Sequence, residues 1–367
     1  MIDLFKPVRG FLKYNNVCTD NNIFRLHYKA TVMMLLIFTL MVTSKQFFGE
    51  PIHCMSDSED DSNKDAINSY CWIYGTYTLK SRLAGKGKAY PGIGPLSVDD
   101  EELKHTYYQW VCFVLLGQSV MFYTPRYLWK IWEGGRLKVL VSDLRSPLVS
   151  KDWPNFRRRE LVSYLGYTNI YTHNMYALRY AFCEILNLAN VVGQIFLLDM
   201  FLSGAFRNYG AAVAAFTHTP RLPSNMVDFV AVNPMDQYFP KLTKCWFRNF
   251  GPSGDLQLKD RLCVLPLNIV NEKIFVILWF WLIFLAFLST LAVLYRFLVL
   301  ALPPLRTALI VSQIRYIKKS VVSRIVKRFG FGDWFLLYLL GSNMNPIIYK
   351  ELLLELSKEL EHKTVMV

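Results

Sequence analysis

One run of the chain restricts its possible folds more than any other. Residues 274–295, IFVILWFWLIFLAFLSTLAVLY, include no charged side chain, and the nearest charges are Lys273 and Arg296. A bilayer core requires about 20 mostly apolar residues in helical form, because every backbone polar group must be paired inside the helix. A buried helix of a large soluble protein is the alternative, but this run is too long and too uncharged for that role. The run therefore predicts a membrane-spanning helix.

Three further segments are predicted to span the membrane. In chain order, the first span surrounds ATVMMLLIFTLMV and the second is YYQWVCFVLLGQSVMFYTPRYLW. The third begins near Tyr176 and includes both apolar and polar residues, and the run at 274–295 is the fourth. Residues 1–25 have neither a continuous apolar core nor a small-residue cleavage site, so the first span is expected to serve as its own insertion signal. An even number of spans places both ends of the chain on one side of the membrane.

The distribution of basic residues predicts which side that is. Of the 41 Lys and Arg residues, 24 lie in residues 1–29, 125–174 and 301–367, and the formal net charge is +13. Because cytoplasmic segments beside spans are enriched in Lys and Arg, both termini and the middle loop are predicted to be cytoplasmic. The positive charge would then face anionic lipid, and nucleic-acid binding is the less favoured explanation.

These observations divide the chain into nine segments. The boundaries are a cytoplasmic amino-terminal helix at 1–26, spans at 27–48, 107–129, 176–203 and 272–302, extracellular loops at 49–106 and 204–271, a cytoplasmic loop at 130–175, and a cytoplasmic carboxyl-terminal region at 303–367.

Four of the seven cysteines lie in the two loops that are predicted to be extracellular. Cys54 and Cys71 belong to the first loop, and Cys245 and Cys263 belong to the second. An oxidising environment allows disulfides to persist there. Four cysteines permit three pairings, and the sequence alone does not choose among them. A zinc site with four cysteine ligands is the alternative, and it is less favoured because the close CxxC pairs of structural zinc sites are absent.

The amino-terminal sequence MIDLFKPVRGFLKY predicts a short amphipathic helix. Its apolar residues recur at helical spacing, and Asp3, Lys6 and Arg9 lie mostly on the other side. Such a helix next to a span either lies in the headgroup layer or folds into the mouth of a pore. The residues alone favour neither alternative.

The third span has a polar stripe. Asn187, Asn190 and Gln194 lie within about 60° of one another on a helix, and Arg179 adjoins them. Polar side chains inside a membrane face protein or water. The stripe therefore either joins helices through hydrogen bonds, which is the favoured interpretation, or lines a conduction pathway.

The segment at 332–360, GDWFLLYLLGSNMNPIIYKELLLELSKEL, begins with an apolar run that is too short to cross a bilayer. It ends as an amphipathic helix with Leu352, Leu353, Leu356 and Leu360 on a common side. We expect this helix to pack on the middle loop in a cytosolic layer of helices.

The sequence has none of the catalytic or cofactor-binding motifs that were sought. HExxH, GxxxxGK[ST], GxGxxG and a nucleophile elbow are absent, and the six histidines are scattered without metal-ligand spacing. Acidic residues cluster only in DSEDD and DDEE, where a solvated surface is the default. The prediction is a protein without catalytic residues, cofactor or metal, which is not an enzyme.

Several stretches resemble one protein family. YYQWV, formed by Tyr107, Tyr108, Gln109, Trp110 and Val111, is followed by PRYLWKIWEGG, and together they resemble the signature region of the innexins, the gap-junction proteins of invertebrates. The likeness covers nearly the whole chain and includes IFRLHYKATV, TSKQFFGEPIHC, YCWIYGTYT, FPKLTKC and GDWFLLYLLG. FCEILNL and KIWEGGRLK are most similar to insect innexins of the germline type. With two cysteines in each loop and four spans, the likeness is specific.

The resemblance implies a subunit of a gap-junction channel in the plasma membrane. Eight subunits, of this chain alone or mixed with other innexins, would form a hemichannel that docks with a hemichannel of the neighbouring cell. Ions and small metabolites would then pass between the two cytoplasms. The family pattern pairs the cysteines of the two loops in antiparallel order, which implies the disulfides Cys54–Cys263 and Cys71–Cys245.

The resemblance also implies the fold class and the pore. The fold would be an all-α membrane protein, a four-transmembrane-helix bundle with two disulfide-linked extracellular loops and a helical cytoplasmic domain. The amino-terminal helix would line the pore funnel, where one Asp3 per subunit would form a ring of carboxylates. Tyr107 and Trp110 would anchor a helix at the membrane boundary. The candidate pore-lining residues are Met1, Ile2, Asp3 and Lys6.

Two other functions compete with the intercellular channel. One is an undocked hemichannel that releases metabolites, as the related pannexins do. The absence of any N-x-[ST] sequon favours docking, because a glycan in the loops would block it. The other is a four-span adhesion protein without a pore, but the loops lack claudin-type and tetraspanin-type motifs. Dye transfer between paired cells distinguishes the three.

Overall fold

The computed structural model describes residues 17–55, 61–83, 91–95, 97, 100–142, 144, 155–167, 170–218, 233–314 and 316–365. The described residues form two compact units. We call the parts within 1–30, 121–190 and 286–367 the helical unit, and the parts within 31–120 and 191–285 the sheet unit. The predicted amino-terminal helix and the candidate pore residues lie outside the described ranges.

Helices predominate among the described residues. The strands are β1 His53–Cys54, β2 Thr76–Leu79, β3 Glu102–His105, β4 Leu242–Phe250 and β5 Leu256–Val264. The helices are α1 Asn22–Phe47, α2 Asp61–Tyr74, α3 Lys80–Leu83, α4 Val111–Glu133, α5 Arg136–Val141, α6 Asn155–Tyr167, α7 Ile170–Phe201, α8 Phe206–His218, α9 Pro234–Tyr238, α10 Pro266–Ala301, α11 Pro303–Ser312, α12 Lys319–Arg328, α13 Phe331–Gly341 and α14 Pro346–Val365.

Three helices in the described part of the chain are long and apolar enough to cross a membrane. They are α1, the part of α7 from His173 to Phe201, and α10, and they coincide with three of the four predicted spans. Helix α4 has 23 residues, which is long enough, but polar side chains such as Gln118 and Arg126 make it less apolar. The span at 107–129 therefore stays a prediction.

Polar side chains join α1 to α10 in both units. In the helical unit, the His27 ring is hydrogen-bonded through Nε2 to Ser289 Oγ at 2.7 Å. In the sheet unit, Trp281 Nε1 donates to Thr31 Oγ1 at 2.9 Å. Such contacts between otherwise apolar helices fix their rotation, because an unpaired polar group in an apolar environment is unfavourable.

The prediction of an all-α protein is wrong for the two loops. They combine into one five-stranded antiparallel sheet with the strand order β1-β5-β4-β2-β3. The first loop supplies β1, β2 and β3, and the second loop supplies the central hairpin β4–β5. Strands β1, β2 and β3 have only two to four residues, and β1 and β2 pair with the hairpin far away in sequence, which a search for helical periodicity does not detect.

The β4–β5 hairpin is long and ends in a tight turn. Nine consecutive pairs join the strands, from Leu242–Val264 to Phe250–Leu256. The turn is closed by a hydrogen bond from Gly251 N to Asp255 O at 2.9 Å, and Gly254 has a φ of 84°. A residue with a Cβ atom is strained at this φ, so glycine suits the position.

The core of the helical unit lies among the cytoplasmic segments predicted from the basic residues. As predicted, the carboxyl-terminal helix α14 buries Leu352, Leu353 and Leu356, while Leu360 is partly buried. Helix α14 packs on α6 of the middle loop and on α12. The predicted layer of helices on the middle loop is therefore confirmed.

Two residues of the polar stripe in the third span lie in the protein interior, and Asn190 is partly buried. Asn187 is 4% exposed and Gln194 is 2% exposed, and Arg179 lies over the ring of Trp132 at 5.8 Å. Buried amide side chains pack against neighbouring protein, so the structure favours the role of joining helices over that of lining a pathway.

Candidate functional site

The first disulfide joins the edge strand β1 to the central hairpin. Cys54 and Cys263 are direct partners in the β1–β5 pairing, and their sulfurs are bonded at 2.00 Å. Antiparallel pairing brings such residues close enough for a bridge. The bond connects two residues 209 positions apart and therefore ties the first loop to the second.

The second disulfide joins helix α2 to the same hairpin. Cys71 lies near the end of α2, and its sulfur is bonded to that of Cys245 on β4 at 2.02 Å. Both cysteines are almost fully buried, with exposures of 0% and 1%. These are the two pairs implied by the resemblance.

The two disulfides are neighbours. The sulfurs of Cys54, Cys71 and Cys263 lie within 4.8 Å of one another. A metal site requires deprotonated thiolates, and sulfurs joined in a disulfide do not supply them. The cluster is therefore a pair of adjacent cross-links at the centre of the sheet unit.

The YYQWV motif connects the sheet to helix α4. Tyr107 donates a hydrogen bond to the carbonyl of Tyr238 at 3.4 Å, and Gln109 Nε2 donates to the carbonyls of Trp72 and Ile73 at the end of α2. Tyr108 is fully buried. The motif thus positions the end of α2, which also contains the second disulfide.

The last two residues of the motif differ in exposure. Trp110 is 60% exposed at the start of α4, whereas Val111 is fully buried. An exposed tryptophan beside an apolar helix suits a membrane interface, because its indole is amphipathic. The motif accordingly has a structural role and leaves the Trp110 side chain exposed.

Partly buried polar contacts join β2 to the β4–β5 hairpin. Lys244 Nζ pairs with Asp260 Oδ2 at 2.5 Å, and the Tyr77 hydroxyl donates to Asp260 Oδ1 at 3.3 Å. Burial and the negative charge of Asp260 raise the pKa of Tyr77. The Tyr77 ring stacks on Trp246 with centroids 5.7 Å apart. These contacts hold β2 against the hairpin.

His105 on β3 is a buried neutral base in the same sheet. It is 5% exposed, and its Nε2 is hydrogen-bonded to Thr78 Oγ1 at 2.8 Å. Burial lowers the pKa of His105 from 6.5 to about 4, because the imidazolium would lose its hydration.

The pKa of His105 predicts that acid weakens the sheet unit. Since the folded pKa lies below the unfolded one, the unfolded chain binds the proton more tightly. The contribution of His105 to the free energy of unfolding, about 3 kcal/mol, is complete above pH 6.5. It is lost as the pH falls towards 4. Thermal unfolding of the purified chain across this range measures the loss. His105→Gln should flatten the profile, and the exposed His53→Gln serves as the control; equal profiles for both variants would contradict the prediction.

The tip of the hairpin exposes apolar side chains. Phe250 is 70% exposed, Leu256 is 54% exposed and Leu258 is 58% exposed. Phe250 and Leu256 are direct partners in the strand pairing, so the exposed groups lie together. A contiguous exposed apolar patch is a common feature of a protein interaction surface. We call these three side chains the hairpin tip.

In the helical unit, the segment before α1 is bound by a carboxyl-terminal residue. Asn343, between α13 and α14, accepts a hydrogen bond from Cys18 N at 2.6 Å, and its Nδ2 donates to Cys18 O at 2.8 Å. Asp20 pairs with Arg25 at 3.1 Å and with Arg126 at 3.2 Å. Chain segments that are distant in sequence thus meet at the start of the first span.

A buried ion pair lies beside this segment. Arg296 on α10 donates two hydrogen bonds to Glu184 on α7, at 2.7 and 2.8 Å, and the two side chains are 12% and 5% exposed. Asn21 Nδ2 donates to the same carboxylate at 2.8 Å, and its Oδ1 caps α1 by accepting from Phe24 N. The bidentate geometry is the strongest form of such a pair.

Aromatic rings cover the Arg296 guanidinium. It lies 5.1 Å from the ring centre of Tyr180 and 5.2 Å from that of Phe335. The cation therefore links α7, α10 and α13 in one place. The sequence analysis did not predict this cluster. The features that could have indicated it were Glu184 within the third span and Arg296 at the end of the span at 272–302.

The comparisons with known proteins agree over the length of the chain. The innexin family model matches residues 20–360. This chain belongs to the innexin family. Innexin inx2 of Drosophila melanogaster is 48% identical over 365 residues, which is 98% of this chain and 96% of the relative. Innexin inx2 of Schistocerca americana is 48% identical over the full length of both chains, and innexin shaking-B of D. melanogaster is 41% identical over 366 residues.

The matches bear on two further expectations. All of these relatives are insect proteins, as the resemblance implied. The assignment of this innexin to the germline type stays a prediction. The motif residues Tyr107 to Val111 and both disulfides lie inside the matched range.

Proposed function

We propose that this innexin is a structural subunit of an intercellular gap-junction channel that passes ions and small metabolites between adjacent cells. The family match over residues 20–360 supports the proposal. The structural observation that supports it most is the single sheet made from both loops and cross-linked by two disulfides. Docking of two hemichannels requires a rigid surface, and a cross-linked sheet of this kind would provide it on the extracellular side.

The docking partner is proposed to be a hemichannel on the neighbouring cell, built from eight copies of this chain or from a mixture with other innexins. The hairpin tip is suited to meet it, because Phe250, Leu256 and Leu258 would lose water on contact. The long-range cross-links reduce the entropy that ordering of the tip would otherwise cost.

The pore is proposed to be lined by the amino-terminal residues Met1, Ile2, Asp3 and Lys6. The segment that follows them is fixed by Asn343 and Asp20, so the entry to α1 has a defined position. A fixed entry point is what a ring of identical pore-lining segments requires.

Paired cells that express the chain test the function directly. An intercellular channel produces junctional conductance and dye transfer in pairs. Dye uptake by single cells without conductance between pairs would instead indicate an undocked hemichannel. Cell aggregation without either signal would indicate an adhesion protein, and both of these outcomes contradict the proposal.

The proposed topology has four spans with both termini in the cytosol. An epitope tag at the carboxyl terminus should be detected only after cells are permeabilised, because the basic segments favour the cytosolic side. A tag inserted at Ser253 in the hairpin turn should stain intact cells. Staining of the carboxyl-terminal tag on intact cells would contradict the topology.

Asp3→Lys is expected to change charge selectivity and leave assembly intact. Replacing a proposed ring of carboxylates by a ring of ammonium groups reverses the local attraction for ions. The shift of the reversal potential under a salt gradient measures it. Glu351→Lys makes the same change of charge at an exposed position of α14 and is the matched control. An unchanged reversal potential with persistent conductance would show that Asp3 does not line the path.

A further inference from the structure

Helix α12 has one apolar face and one basic face. Val322, Ile325 and Val326 are buried. The opposite side has exposed cations that span about half of the helical circumference. Together with the exposed residue before the helix, they form what we call the basic face: Lys318, Lys319, Arg324, Lys327 and Arg328.

The basic face is only partly neutralised. Arg324 pairs with Glu361 on α14. Within the described ranges, no acidic side chain lies within salt-bridge distance of Lys318, Lys319 or Lys327. The sequence of α12, KSVVSRIVKR, has no acidic residue of its own. An excess of positive charge therefore faces outward.

The carboxyl end of α12 lies close to the end of the spanning helix α10. Arg306 Nε donates to Val299 O at 2.8 Å, in the last turn of α10, and the guanidinium lies 5.5 Å from the ring centre of Phe331. Two residues lie between Arg328 and Phe331, so their Cα atoms are at most about 11 Å apart. A short segment therefore joins the carboxyl end of α12 to Phe331, which lies beside a residue bound to the last turn of α10.

Apolar side chains surround the same end of α10. Phe297 is 59% exposed, Leu298 is 53% exposed and Leu302 is 46% exposed. A ligand that fits both features has a polyanionic head for the cations and acyl chains for the apolar residues. A soluble polyanion would use only the first feature.

We propose that the basic face binds the headgroups of anionic phospholipids in the inner leaflet, and that a phosphatidylinositol bisphosphate binds more tightly than lipids with one negative charge. Several phosphate oxygens on one headgroup match several cations on one helix face. The inference rests on the proposed cytosolic position of α12. Lipid binding by the basic face is a separate property from the docking and pore-lining roles proposed above.

Binding of a fluorescent short-chain phosphatidylinositol bisphosphate to the purified full-length chain in detergent tests the proposal. Lys319→Gln with Lys327→Gln should weaken binding roughly 10- to 30-fold, about fivefold for each charge removed. Lys130→Gln with Lys138→Gln removes the same charge from exposed positions of the same unit and should weaken binding less than about twofold. Thermal unfolding of each variant verifies that it is folded.

Two results would overturn the proposal. Equal weakening in both double variants would mean that net charge alone attracts the lipid. Competition by soluble inositol trisphosphate as effective as that by the unlabelled lipid would assign the basic face to a soluble polyanion. The assay requires neither docking nor conduction, so its failure and a failure of intercellular coupling are separate outcomes.

Discussion

Cys54→Ser is expected to abolish coupling between paired cells. The substitution removes the link between β1 and the hairpin and leaves Cys263 as an unpaired thiol in the sheet. A disulfide typically contributes about 2–4 kcal/mol, mainly by restricting the unfolded chain. Without it the two loops would sample many relative heights, and the docking surface would lose its order. Cys71→Ser should have the same effect through Cys245.

The specific prediction is non-additivity. Cys54→Ser with Cys263→Ser should be no worse than either single change, because the two residues act as a unit. Cys112→Ser is the matched control, since Cys112 is buried in the sheet unit and has a free thiol. Junctional conductance in paired cells is the measurement, and surface labelling confirms delivery to the plasma membrane.

Peptide mapping under non-reducing conditions provides an independent test of the pairing. Peptides that join Cys54 to Cys263 and Cys71 to Cys245 are expected. A peptide that joins Cys54 to Cys71, or Cys245 to Cys263, would mean that each loop closes on itself and that the common sheet does not form as described.

Glu184→Ala is expected to be the most destabilising single change in the helical unit. It leaves the Arg296 guanidinium buried without a counter-charge and removes an acceptor for Asn21, which caps α1. Breaking a buried pair in this way costs about 3–5 kcal/mol. A fall of several degrees in the melting temperature of the purified chain is the expected result. Glu351→Ala, an exposed carboxylate on α14, should leave the melting temperature nearly unchanged.

Replacing both partners distinguishes an ion pair from simple packing. Glu184→Gln with Arg296→Met removes both charges and should recover part of the loss, because no uncompensated charge remains. If the double variant is as unstable as the sum of the two single variants, the pair is not coupled and the prediction is wrong.

Local sequence patterns were sufficient for the three long apolar helices, the layer of helices on the middle loop and the family. The uncharged run at 274–295 predicts α10, because a spanning helix satisfies its own backbone and needs no distant partner. The leucines of α14 predict its buried side for the same local reason. YYQWV and the loop cysteines identify the family because they occur together over the whole chain.

Only the tertiary structure revealed the sheet, the ion pair and the Asn343 contact. The two loops form one sheet from strands that are distant in sequence, and Cys54 and Cys263 are adjacent because of the register of β1 and β5. Glu184 and Arg296 are 112 residues apart, and Cys18 and Asn343 are 325 apart. Helical periodicity repeats within a few residues, whereas strand pairing and buried charges depend on which distant segments meet. The sequence therefore determined the three long apolar helices and the family, and long-range packing decided the disulfide-linked sheet and the contacts that fix the start of α1.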